Sequence, residues 1–174
     1  MERLDPEKFD VTHLLDDCYD DLNQLAEFLT LLANVKPEKD DKLKNLVKLL
    51  KTDKVLKSQK VILFTEFADT ARYLEFELKR NGIEGLHRVD GGSTQKQRSA
   101  IIKRFAPYYN GFSKAEMEGP EIRVLISTDV MAEGLNLQDA TRLINYDLHW
   151  NPVRLMQRIG RVDRRMNSEV EKQI

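Results

Sequence analysis

The sequence predicts an α/β fold: a three-layer, open, mainly parallel sheet with helices on both faces, preceded by N-terminal helices. Three observations carry that expectation. Beyond Lys60, short apolar runs alternate with segments of helical period, the pattern of a parallel sheet covered on both sides. Before residue 56 the periodicity is helical only. At 174 residues and 41% hydrophobic content, the chain buries one core of ordinary size and has no room for a second full domain.

Each element follows from its own pattern. Leu22, Leu25, Leu29 and Leu32 recur at helical spacing, Val35-Lys36-Pro37 breaks the run, and Leu43, Leu46, Val47 and Leu50 resume it. Residues 1–55 are therefore expected to form a helical N-terminal or linker segment, and residues 56–174 the α/β lobe. Val61-Ile62-Leu63-Phe64 reads as a buried strand. The next helix is opened by Asp69 or Thr70, turns Ala71, Leu74 and Leu78 inward, and closes at Asn81-Gly82. Gly85 to Asp90 is a second strand, and Gln95 to Phe105 a helix that buries Ile101, Ile102 and Phe105. Ile122 to Ile126 and Leu143 to Tyr146 are further strands. Residues 106–120 show no apolar pattern and are expected to be an insertion, either mobile or a short surface helix.

The last helix, opened by Pro152, carries two opposed stripes. Leu155, Ile159, Val162 and Met166 align on one side and are expected to face the core. About 200° around the helix, Arg154, Gln157, Arg161 and Arg164 share a face from which guanidinium groups could reach one polyanion. By itself such a stripe is more often a solvated basic face.

Composition narrows the function classes. The net charge of −1 means that any nucleic-acid contact comes from local patches, not from a global positive field. Lys48, Lys51, Lys54, Lys57 and Lys60 read as a solvated face followed by a linker and receive no function. Cys18 is the single cysteine, which excludes an intrachain disulfide; no metal site is expected. With neither a secretory signal nor a long apolar run, the expected location is cytoplasmic, away from membranes.

In an open parallel sheet, ligands gather at the carboxyl ends of the strands. The residues there are small or polar: Thr65 and Glu66; Asp90, Gly91, Gly92, Ser93 and Thr94; Ser127, Thr128 and Asp129; Asp147, His149, Trp150 and Asn151. Each alone is an ordinary cap or turn. Four such edges on one rim point to an anionic ligand.

Taken with the arginine helix, these strings resemble the second RecA-like lobe of superfamily 2 helicases and translocases. The resemblance covers about Lys42 to Arg165. Val61 to Phe67 is similar to motif IV, and Gly91 to Arg98 to the family's glycine turn followed by a Gln-x-x-Arg pair. Ser127 to Leu137 is similar to motif V, and Gln157 to Arg164 to motif VI. Trp150-Asn151-Pro152 ahead of motif VI, and Asn136 where RNA helicases of the DEAD-box group carry aspartate, resemble the Swi2/Snf2 branch. Arg158 departs from the usual Snf2 form, which commonly has alanine there. With the 106–120 insertion, it makes the chain most similar to bacterial Snf2-like proteins related to RapA.

The resemblance implies roles. Arg161 and Arg164 match paired arginine fingers that approach the γ-phosphate of ATP, with Gln157 in the same network; Gly134 and Asn136 would lie against the nucleotide. Thr65, Gly91, Gly92, Ser93 and Thr128 would hold the backbone of one strand. Trp150 is expected to pack rather than to stack on a base, and His149 to be a rim residue. None of the eight glycines is followed by lysine, and no Walker B pattern exists, so ATP and Mg²⁺ would be held mainly by a separate first lobe. The chain is then half of an ATP-hydrolysing machine, inactive alone. Its partners would be that N-terminal RecA-like lobe, DNA with RNA left open, and RNA polymerase or another protein complex. The alternatives are a non-enzymatic docking module on the same lobe and a flavodoxin-like phosphate-binding domain, which would leave the arginine stripe unexplained.

Overall fold

The computed structural model describes residues 8–113, 119–129 and 137–163, and the chain forms two compact units, Met1–Asp41 and Lys42–Ile174. In the first unit, helix α1 (Val11–Ala33) begins where the Asp10 carboxylate accepts the His13 N–H at 3.0 Å, a cap that satisfies one of the unpaired amides of the first turn. Helical spacing puts Leu15, Leu22, Leu25, Leu29 and Leu32 on one face and Asp16, Asp20 and Glu27 on the other, and no residue of α1 is buried. No helix among the described residues is long and apolar enough to cross a membrane.

The second unit runs α2 (Asp41–Thr52), β1 (Val61–Thr65), α3 (Ala68–Arg80), β2 (Leu86–Val89), α4 (Gln95–Phe105), β3 (Val124–Thr128), β4 (Arg142–Asn145) and α5 (Pro152–Val162). The four strands form one parallel sheet in the order β2-β3-β1-β4. Central β1 and β3 are buried along their whole length, which is why they read as continuous apolar runs and not as alternating ones. Their register pairs Val61 with Val124 and Thr65 with Thr128, so both strands end side by side.

Strand alternation divides the core into two layers. Val61, Leu63, Val124, Ile126 and Leu86 pack against α2 and α3 through Leu43, Leu46, Leu50, Ala71, Leu74 and Leu78. Ile62, Phe64, Leu125 and Val89 face the other way, toward Ile102 and Phe105 of α4 and Val162 of α5. The α/β class and the helices on both faces are as the sequence predicts.

Two boundaries differ. Leu43, Leu46 and Leu50 are at most 4% exposed, so α2 is part of the lobe's core instead of a linker ending at residue 55. The segment expected as an insertion opens firmly anchored: Ala106 is fully buried, Tyr108–Asn110 form a 3₁₀ turn, and the Tyr108 and Tyr109 amides each donate to the Asp139 carboxylate at 2.9 Å. Those two bonds restrain a stretch whose sequence carries no periodic apolar signal. Residues 114–118 of that segment lie outside the described residues.

Candidate nucleotide and nucleic-acid interface

Because all four strands are parallel, their carboxyl ends share one rim, and the expected strand-contacting residues sit there. Thr65 and Thr128 end adjacent strands and are 0% and 3% exposed. Their hydroxyls are in different situations. Thr65 donates to a carboxylate oxygen of Asp147, which also accepts from Lys42 Nζ at 3.1 Å and from the Glu66 amide at 3.4 Å. The Thr128 hydroxyl is buried with no partner among the described residues. A buried hydroxyl left unsatisfied costs about 1–3 kcal/mol.

Burial works to raise the Asp147 carboxyl, but the Thr65 hydroxyl, the Lys42 ammonium and the Glu66 amide together hold it below its ordinary value of 3.8. A lowered folded-state value means that the unfolded chain binds the proton more tightly over that range. The stability contributed by Asp147 is therefore present above pH 3.8 and is lost as the pH falls below it through the folded value. Asp147→Asn is expected to flatten this part of the acid limb, measured by urea denaturation from pH 6 to pH 3; an unchanged slope refutes the pairing.

The glycine turn is built by side-chain bonds to its own backbone. Gly92 N–H donates to Asp90 Oδ1 at 2.9 Å, the Asp90 amide donates to Ser93 Oγ at 3.2 Å, and Arg98 donates to the Asp90 and Gly91 carbonyls at 3.4 and 3.3 Å. A Cβ on Gly92 would lie 3.3 Å from Asp90 Oδ1, a tight contact from which the carboxylate would have to give by a few tenths of an ångström. Thr94 then opens α4 with a capping box: its hydroxyl accepts the Gln97 amide while the Gln97 side chain accepts the Thr94 amide. Arg72, Arg88, Asp90, Gly92, Ser93, Gln97 and Ile101 line a concavity of about 410 Å³ beside this turn.

Helix α5 starts as its sequence implies, with Pro152 in the first turn and Asn151 Oδ1 accepting the Val153 amide at 2.9 Å. Only part of its expected face is buried: Val162 is in the core and Leu155 half-buried, but Ile159 is 47% exposed, and the fully buried side chain is Arg158. Its Nε and Nη2 make a two-pronged pair with Asp129 at 2.6 and 2.7 Å, while Nη1 reaches Asn145 Oδ1 at 3.0 Å and the Asp147 carbonyl at 3.1 Å. The Phe64 ring lies 5.4 Å away. Carboxylate and carbonyl acceptors make an inward guanidinium tolerable, which shifts the buried line of α5 to Leu155, Arg158 and Val162. On the remaining surface Gln157 is exposed and Arg161 half-buried, and neither side chain has a partner among the described residues.

With this geometry in place, comparison with known proteins assigns the family. The model for the helicase conserved C-terminal domain matches residues 41–166. The chain belongs to that family. Among its curated relatives are the uncharacterized ATP-dependent helicase YqhH of Bacillus subtilis, 38% identical over 60% of this chain and 16% of that protein, and the RNA polymerase-associated protein RapA of Vibrio vulnificus, 38% identical over 67% of this chain and 11% of that protein. The crystal structure of the C-terminal part of the Fun30 ATPase domain matches with a TM-score of 0.59 at 25% identity, covering 88% of this chain and 46% of that one. The helicase lobe thus spans only a small part of its full-length curated relatives. It is a RecA-like C-terminal lobe of superfamily 2, similar to the Snf2 branch.

Within this helicase lobe, the structure places the expected residues unevenly. Thr65, Gly91, Gly92, Ser93 and Thr128 lie along the rim, and Gln157 and Arg161 on α5. Gly134, Asn136, Arg164 and Met166 fall outside the described residues. Trp150 is 87% exposed and is not buried as expected. The inward place goes to its neighbour: His149 Nδ1 accepts the Asn151 amide at 2.9 Å, and Nε2 lies 3.6 Å from Glu66. The indole stacks on that imidazole at 5.7 Å. The sequence places Glu66, Asp129 and Asp147 on the rim and Arg158 in the last motif, but gives no sign of the pairs they make. An arginine three residues after Leu155 and four before Val162, with an aspartate immediately after the β3 run, is the signal that could have found the Arg158–Asp129 pair.

Proposed function

We propose that this chain is the second motor lobe of an ATP-dependent nucleic-acid translocase or helicase acting on double-stranded DNA. Arg161 and Arg164 extend toward ATP and Mg²⁺ held mainly by a first lobe, so this lobe alone is inactive. Gln157 joins them, and Gly134 and Asn136 contact the nucleotide. Thr65, Gly91, Gly92, Ser93 and Thr128 hold one strand by its backbone.

The observation that carries this reading is the division of labour on α5. Arg158 anchors the helix inward, and three residues later Arg161 has no partner among the described residues. A cation rooted beside that anchor suits charge that develops on a transferring phosphoryl group. ATP supplies the bond that breaks; the lobe supplies charge, orientation and a grip on the strand. The duplex-DNA reading rests on the Trp150-Asn151-Pro152 string and on similarity to Snf2-branch relatives.

The test joins the chain to its native first lobe and compares ATP hydrolysis with duplex DNA, single-stranded DNA and RNA. Duplex DNA is expected to stimulate most, and affinity to fall steeply with salt as phosphate contacts release counterions. Thr128→Val is expected to weaken strand binding about 10-fold, the worth of one hydrogen bond to a charged group, without lowering stability, because it removes a hydroxyl that has no partner among the described residues. Stimulation by RNA alone would overturn the DNA assignment; no stimulation by any nucleic acid would overturn the motor.

A further inference from the structure

We propose that Arg158 is a positioning residue for the phosphate-directed face of α5, acting through its buried pair with Asp129. The inference rests on the motor reading above and names a group which that reading leaves without a role.

Arg158 is the largest fully buried side chain of the lobe, and its four hydrogen bonds reach three separate places. Asp129 follows the last residue of β3, Asn145 ends β4, and Asp147 lies beyond it on the rim. Burying an ion pair seldom stabilises more than apolar side chains of the same volume would. What it supplies is geometry. A leucine packed against Phe64 would tolerate rotation and sliding of the helix, whereas a planar fork matched to a carboxylate permits one orientation. With that fork fixed, the root of Arg161 is fixed too, three residues on and roughly 4.5 Å along the axis.

The same side chain reaches the strand-holding edge. Arg158 holds the Asp147 carbonyl, and the Asp147 carboxylate holds the Thr65 hydroxyl. Arg158 itself is 0% exposed and touches neither ligand.

The experiment measures steady-state ATP hydrolysis by the two-lobed protein with Arg158→Lys, which keeps the charge but loses the fork, and with the double change Arg158→Met and Asp129→Asn, which leaves no unpaired buried charge. Melting curves identify the variants that stay folded, and the lysine variant carries the test if the double one does not. The expected result is a kcat about 10-fold lower for Arg158→Lys and about 100-fold lower for the double variant, with KM for ATP within twofold of the parent, since displacing a reacting group by about 1 Å costs on that order. The proposal is overturned if a folded variant keeps kcat within threefold of the parent, or if KM rises as much as kcat falls. Arg161→Ala run alongside separates the two claims. If Arg161→Ala leaves hydrolysis intact, the motor reading fails; if it stops hydrolysis while the Arg158 variants do not, only the positioning role fails.

Discussion

Arg161→Ala in the two-lobed protein is expected to lower kcat for ATP hydrolysis about 1000-fold while KM for ATP moves little. The guanidinium is half-buried, carries no ion pair among the described residues, and stands one turn from the anchored Arg158. On the proposed reading its charge acts where negative charge builds in the transition state rather than in ground-state binding. Lysine at the same position is expected to restore little, because a single ammonium cannot reproduce the fork. Steady-state kinetics at saturating nucleic acid measure both constants. A loss smaller than tenfold would mean that Arg161 is surface charge.

Arg158→Ala is expected to destabilise the lobe by about 3–5 kcal/mol, read from urea denaturation of the full chain. Truncation removes four hydrogen bonds and leaves the Asp129 carboxylate, 11% exposed, and the Asn145 carbonyl without their donor. An uncompensated charge in that position is the costliest consequence, so Arg158→Ala combined with Asp129→Asn is expected to recover part of the loss. If the single substitution costs less than about 1 kcal/mol, the pair behaves like an exposed salt bridge and the buried geometry is refuted.

Much of the fold was legible because its signals are local. Val61 to Phe64 and Val124 to Ile126 are apolar throughout, as strands buried on both faces must be, and Thr94 with Gln97 spells a helix start. For the candidate site, the sequence put Thr65 and Thr128 at strand ends and Gln157 and Arg161 on the last helix, but which face of α5 turns inward depends on Asp129, an acceptor 29 positions away in sequence. Periodicity treats arginine as outward and so chose Ile159, one residue round the helix. Trp150 went astray for the same reason. Its size and neighbouring proline favour burial, yet the adjacent His149 finds a backbone donor and Glu66 and takes the inward place. Asp139 fastens Tyr108 and Tyr109 through amides, which have no sequence signature, so the start of the 106–120 segment read as loose.

The claim that α5 completes a nucleotide site shared with a first lobe is tested most directly by a crystal structure of the two-lobed protein with nucleic acid and ADP–beryllium fluoride, an analogue of bound ATP. The account predicts a guanidinium nitrogen of Arg161 within about 2.7–3.2 Å of the fluoroberyllate group, with the Arg158–Asp129 pair intact. A closed complex in which Arg161 faces solvent and the first lobe alone contacts that group would contradict it.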